Sequence, residues 1–333
     1  MRLRLGIVGL GSDWESRYAP ALRALSDRFE VRAICTPVAH RAEGAARQFN
    51  ARVETGFHAL ASRPDIDAVL LLAADWYGSL PLLAACDYGK AVYCAVALDM
   101  DPDHAASVKQ RVEAAGVAFT AELPRRLSPA TLRLKELIAT QLGEPRLLFC
   151  HQRRLVEGPN ETAHAGRFRG LMEAIDWCRY IVGRDPTSVF GLTHSAADAP
   201  WREDYQMMSL DFSDPDAPGT AALAQISCGR YVPAAWQEVA SFRPPADLQI
   251  VCAQGVGFVD LPATLIWFDS AGRHMESLQS ERPVGQQLFM QFHRSVTSLV
   301  RDVASLEDAY RASWIAIQAR ISHEQGRRLE LSF

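Results

Sequence analysis

Short apolar runs alternate with amphipathic stretches through the first third of the chain. Arg2–Val8 is a β-leaning run that closes on Gly9-Leu10-Gly11, and Glu30–Cys35 is a second such run. The Ala-, Arg- and Glu-rich stretch Ala39–Phe49 between them and the next run predicts a helix. Asp67–Ala73 is almost continuously apolar, as strands buried on both faces of a parallel sheet are. A helix over Ser79–Asp87 follows, with Gly89 placed to take the left-handed position beyond its end. Ala91–Cys94 predicts a strand, Pro102–Ala115 a helix and Val117–Thr120 a further strand. Repeated strand–helix units with short connections predict a doubly wound parallel sheet with right-handed crossovers.

The pattern changes after Glu122. Pro129 opens an amphipathic helix over Ala130–Leu142, and β-rich segments then dominate: Arg146–Gln152, Ser188–Thr193, Gln206–Phe212, Ala221–Cys228, Leu248–Cys252, Val256–Leu261 and Thr264–Phe268. Hairpin-sized turns holding Gly, Asp or Pro separate several of them, which predicts a large, mainly antiparallel sheet. A helix near Leu171–Val182 interrupts the run. Helices over Gln286–Val303 and Leu306–Gly326 and a strand over Arg328–Ser332 close the chain. The expected organisation is an α/β domain over residues 1–122 and an α+β domain over 123–333, its open sheet flanked by helices.

Composition narrows the functional classes. A net charge of −4 leaves no basic footprint, which argues against nucleic acid as the main partner. No apolar run approaches the roughly 20 residues that span a bilayer, and no secretory leader is legible, so the expected location is cytoplasmic. The seven cysteines are dispersed without a C-x-x-C pair, and read as reduced, buried small hydrophobes with no metal role. The only lysines are Lys90, Lys109 and Lys135.

Candidate chemistry starts at the first strand's end. A strand followed by two glycines one residue apart is how a dinucleotide-binding turn begins. The first glycine permits the tight turn, and the second lets a pyrophosphate approach backbone N–H groups at the next helix. The third glycine of that fingerprint would fall at position 14, where Trp14 stands. Trp14 and Trp76 are both placed near the strand ends, as platforms for a ring or as packing.

Further landmarks stand in order: Gly6-Ile7-Val8-Gly9-Leu10-Gly11, Asp65-Ile66-Asp67-Ala68-Val69, Gly89-Lys90-Ala91-Val92-Tyr93-Cys94, Arg126-Leu127-Ser128-Pro129 with Leu134–Ile138 and Gly143, Ile175-Asp176-Trp177 through Gly183, and the tail from Asp308 to Gly326. Together they resemble the Gfo/Idh/MocA family of glucose-fructose oxidoreductase and inositol dehydrogenase. The resemblance implies an NAD(P)-dependent oxidoreductase acting on a sugar, polyol or related hydroxy compound. It also implies assembly as a homodimer or homotetramer through the C-terminal sheet. The family's catalytic lysine position falls on Val96, its aspartate on Arg169 and its histidine on Glu173.

Arg169 and Glu173 lie four residues apart on one helix face, spaced for an ion pair or for a clamp on a polar ligand. Glu173 is the candidate general base and Arg169 the group that orients substrate. Gly9, Gly11, Ser12, Thr36, Ala73, Ala74 and Asp75 are the candidate cofactor-binding residues. Thr36 stands where an acid would bind the ribose of NAD, and Arg41 lies just beyond it, which tilts the expectation toward NADP. The alternative is that nothing binds there and Arg41 is a solvated helix residue. The competing functional reading is a catalytically inactive relative that serves as a ligand-binding or assembly module.

Overall fold

The computed structural model describes residues 1–73, 77–96, 98, 101–156, 163–195, 204–217, 219–233, 238, 245–298 and 304–333. By contacts the chain divides into two compact units, Met1–Glu122 with Glu281–Ser313, and Leu123–Ser280 with Trp314–Phe333.

The first unit strings β1 (Leu3–Val8), α1 (Ala19–Ala24), β2 (Phe29–Cys35), α2 (Ala39–Phe49), β3 (Arg52–Val53), α3 (Phe57–Ala61), β4 (Ala68–Leu71), α4 (Leu80–Asp87), β5 (Ala91–Cys94), α5 (Pro102–Ala115) and β6 (Phe119–Ala121). Its six strands form one all-parallel sheet in the order β3-β2-β1-β4-β5-β6. The central strands are apolar because both faces are covered: Leu5, Ile7, Ala68 and Leu70 are buried on one face, and Val8, Val69 and Leu71 on the other. Strand order reverses beside β1, and in such sheets the ligand crevice opens at the carboxyl ends of the strands flanking that reversal. Val8 pairs with Cys35 and with Leu71, so the loops after β1, β2 and β4 emerge side by side.

The second unit opens with α6 (Pro129–Leu137), started by Pro129 and by Ser128, whose hydroxyl accepts from the Thr131 N–H at 3.2 Å. β7 (Pro145–Val156), α7 (Ala163–Val182), β8 (Ser188–Ser195), β9 (Asp204–Asp211), β10 (Leu223–Pro233), β11 (Leu248–Cys252), β12 (Val256–Asp260), β13 (Thr264–Asp269) and β14 (Gly272–Ser277) follow. Cross-strand register separates the sheet's faces. Leu148, Ala224, Leu210 and Val189 align across four strands and are buried. One residue along each strand, Phe149, Gln225, Ser209 and Phe190 align on the opposite face. Cys150 and Met208 lie on the buried face, and all seven cysteines of the chain are buried with free thiols.

The chain then returns to the first unit with α8 (Val284–Thr297), continues into α9 (Ala304–Gln325), and ends in β15 (Leu329–Glu330), which pairs antiparallel with β8. The nine-stranded sheet runs β14-β13-β12-β11-β7-β10-β9-β8-β15, antiparallel except for the β7–β10 pair. The expected second domain of residues 123–333 is therefore corrected at 281–313. Leu288, Phe289 and Phe292 of α8 are buried, and Phe289 packs against Tyr18, Phe29 and Tyr93 with ring centroids 5.1–6.1 Å apart. That aromatic burial ties α8 to the first unit. Among the described residues no helix is long and apolar enough to cross a membrane.

Candidate active site

The first unit supplies a glycine turn. Gly9 (φ +70°) and Gly11 (φ +64°) both occupy the left-handed region that penalises a side chain. A Cβ on Gly9 would lie 2.6 Å from the Ala73 carbonyl oxygen, and one on Gly11 would lie 3.3 Å from that of Leu72. The turn is thus pressed onto the end of β4, and the Gly9 N–H donates to Cys35 O at 2.9 Å. Gly9, Gly11, Thr36 and Ala73 come together at the ends of three neighbouring strands. Ala74, Asp75 and Trp76 lie outside the described residues.

Beyond the turn the chain does not enter an ordinary α-helix. Trp14–Tyr18 forms one wide π turn, with the Tyr18 N–H reaching Asp13 O at 3.2 Å. Ser12 is exposed and its hydroxyl is 3.5 Å from Asp13 Oδ1. Trp14 is buried edge-on against Phe49 of α2, centroids 5.7 Å apart. Of the two roles expected for Trp14, the indole takes that of core packing: burying it against α2 gains more than leaving it at a solvated strand end. Asp13 stands just before the π turn, and Arg17 faces its carboxylate at 3.4 Å. The same guanidinium donates to Glu122 Oε1 at 2.6 Å. Glu122, its side chain fully buried, also accepts from the hydroxyls of Tyr18 (2.9 Å) and Tyr93 (2.7 Å). Sequence reasoning missed this network, although Glu122 ends a buried strand and a buried acid demands partners.

Arg41 is not simply solvated. Its Nη2 donates to the Gly11 carbonyl at 2.7 Å, which carries a guanidinium onto the glycine turn next to the end of β2. Val96 follows β5, and its carbonyl accepts from the Cys94 thiol at 3.3 Å. The three lysines are engaged elsewhere. Lys90 donates to the Arg63 and Ile66 carbonyls, Lys109 meets Glu307 at 2.6 Å, and Lys135 donates to the Tyr180 and Ile181 carbonyls near the end of α7.

The second unit carries the Arg169–Glu173 pair on α7. Arg169 Nε donates to Glu173 Oε1 at 2.9 Å, so of the two expected arrangements the ion pair is formed. A third group joins them: Arg125 Nε lies 3.9 Å from Glu173 Oε2. Nothing in a run of two arginines marks Arg125 as the buried one. Its neighbour Arg126 instead makes a two-pronged pair with Asp176, which also faces Arg179 at 3.6 Å. His151 Nδ1 is 2.8 Å from Ser227 Oγ, and burial together with the Arg153 charge pushes its imidazole below the usual range.

Residues 3–123 match the Gfo/Idh/MocA oxidoreductase family with its NAD-binding Rossmann fold. A D-xylose 1-dehydrogenase (NADP+) of Haloferax volcanii is 31% identical over 147 residues, covering 42% of this chain and 43% of that protein. An inositol 2-dehydrogenase of Mycolicibacterium smegmatis is 30% identical over 128 residues, covering 38% and 37% respectively. The matched stretches thus span about two fifths of those relatives' length. The solved aldose-aldose oxidoreductase of Caulobacter crescentus shares the fold with a TM-score of 0.84 at 14% identity, over 99% of this chain and 100% of that one.

Proposed function

We propose that this chain, whose residues 3–123 match the Gfo/Idh/MocA oxidoreductase family, is an NAD(P)-dependent oxidoreductase acting on a sugar, polyol or related hydroxy compound. The observation that carries the reading is the glycine turn, in which Gly9 and Gly11 hold left-handed φ values and press against the end of β4. When bound, the nicotinamide supplies a hydride acceptor or donor.

The residues of this chain then divide the work. Gly9 and Gly11, lacking side chains, let the pyrophosphate come close to the turn, and Arg17 offsets the Asp13 charge beside it. Arg41, held to the Gly11 carbonyl, is positioned for a ribose 2′-phosphate. Thr36 puts no carboxylate there to repel one, which favours NADP over NAD. Thr36, Ala73, Ala74 and Asp75 complete the proposed cofactor set, with Ser12 at the turn's exposed corner. Glu173 takes the proton of the substrate hydroxyl in place of the family's lysine and histidine. Arg169 holds Glu173 in place and orients the substrate. The open face of the nine-stranded sheet joins copies of the chain into a homodimer or homotetramer.

Titration with NADPH and NADH, followed by turnover assays on aldoses and polyols, tests the proposal. Glu173→Gln is expected to abolish turnover with NADPH affinity intact, and unchanged turnover removes Glu173 from the mechanism. One observation favours a second reading, a non-catalytic ligand-binding relative. Glu173 is tied to two guanidinium groups, and Val96 stands where the family's lysine would be. Cofactor binding without turnover on the whole panel selects that reading.

A further inference from the structure

Arg125 is an unusual cation. It belongs to the short 3₁₀ turn Pro124–Leu127, and its side chain is only 10% exposed. A guanidinium carries five N–H donors and stays charged at any physiological pH. In folded proteins such a group is buried only when hydrogen bonded or paired, because stripping it of water is costly. Here the partners are poor. The nearest carboxylate oxygen, on Glu173, is 3.9 Å away, and that oxygen's sister is taken by Arg169. Nη1 points at the Cys150 sulfur, a weak acceptor, also at 3.9 Å. The guanidinium carbon lies 5.1 Å from the centroid of the Trp177 ring, a cation–π contact that compensates charge without using any N–H. Asp247 contributes only a more distant attraction, and its Oδ2 accepts from the Leu261 N–H at 2.8 Å. Arg125 makes no hydrogen bond to oxygen among the described residues.

The surroundings hold the group rigidly. Trp177 is fully buried, and its indole N–H donates to Thr131 Oγ1 at 2.9 Å. Trp177 shares α7 with Glu173 and Arg169, so one helix presents the stacking surface and the neighbouring charges. The Glu173 side chain is 14% exposed and the Arg169 side chain 20%, so both keep some contact with solvent beside Arg125.

We propose that Arg125 is a specificity-determining residue that binds a carboxylate on the substrate, so that the preferred hydroxy compounds are hydroxy acids of the sugar-acid class. A planar carboxylate accepts two parallel N–H bonds from one guanidinium, filling donors that a neutral hydroxyl fills only one at a time. The inference rests on the sugar or polyol reading above and narrows it, giving the Arg125, Arg169 and Glu173 group a ligand rather than only a proton to manage.

The test is calorimetric titration of the intact protein with D-glucuronate and D-gluconate against their neutral counterparts D-glucose and D-glucitol. NADPH and NADH are titrated separately on the same preparation. The acids are expected to bind at least tenfold more tightly than the neutral compounds. Arg125→Lys keeps the charge but loses the two-pronged geometry. It is expected to erase that tenfold preference while leaving NADPH affinity and the circular dichroism spectrum unchanged. Equal binding of acids and neutral compounds, as when ordered water alone completes Arg125, overturns the proposal. So does an acid preference that survives in Arg125→Lys. If neither NADPH nor NADH binds but the Arg125-dependent acid preference is seen, the oxidoreductase reading falls and the acid site stands.

Discussion

Gly9 is the residue on which the nucleotide turn depends most. Its φ of +70° and the 2.6 Å approach to the Ala73 carbonyl are independent penalties on any side chain. Gly9→Ala is expected to cost about 1–3 kcal/mol in stability from backbone strain and to weaken NADPH binding sharply, read by thermal unfolding and titration together. Arg41→Ala removes a guanidinium held 2.7 Å from the Gly11 carbonyl. About tenfold is expected to be lost from NADPH affinity while NADH affinity stays nearly constant, and parallel titrations check the difference. The glycines were legible in the sequence because a left-handed turn after a strand admits few other residues. Trp14 was legible only as a broken fingerprint, since its burial against Phe49 depends on a helix that begins 25 residues later.

At the scale of elements, β4 and β5 could be read because each is apolar on both faces, whereas the two exposed residues of β3 carry no such signal. The helices were located but not always bounded. α7 starts at Ala163, eight residues before the apolar periodicity shows it, and those added turns put Arg169 on the helix that carries Glu173. The placement of α8 was missed, because an amphipathic helix shows that it has a buried face without showing which core it meets. Glu122 illustrates the same limit. As the acceptor for Arg17, Tyr18 and Tyr93 it fastens the π turn to β5 and β6. Glu122→Gln is expected to destabilise the first unit by about 2 kcal/mol, measurable by denaturant unfolding. Asp67, one residue before β4, is held below the usual carboxylate range by its hydrogen bond from Arg4, which outweighs partial burial. Folded Asp67 therefore resists protonation more than unfolded Asp67 does. Its stabilisation is complete above about pH 4 and is lost as pH falls through the lower folded value. Asp67→Asn should flatten the acid side of a plot of unfolding midpoint against pH.

For the whole molecule, the open sheet face and the cofactor cradle make separate predictions. Met275, Ile266, Phe258, Gln249, Phe149, Gln225, Ser209 and Phe190 align in one row across eight strands, and most of them are apolar. Phe190 and Met275 in that row are exposed, as are Leu192 and Phe268 elsewhere in the sheet. A contiguous apolar face of this extent is expected to be covered by another copy, so sedimentation should give a dimer or tetramer mass. The fold was legible because it rests on hydrophobic periodicity. The acid-binding cluster was not, because it depends on which of two adjacent arginines turns inward.

The central claim is that the Gly9–Gly11 cradle still holds a dinucleotide. Calorimetric titration of the wild-type protein with NADPH tests it most directly. The account predicts saturable binding at one site per chain, tighter than that of NADH and severely weakened in Gly9→Ala. The absence of binding of either cofactor at millimolar concentration would contradict it.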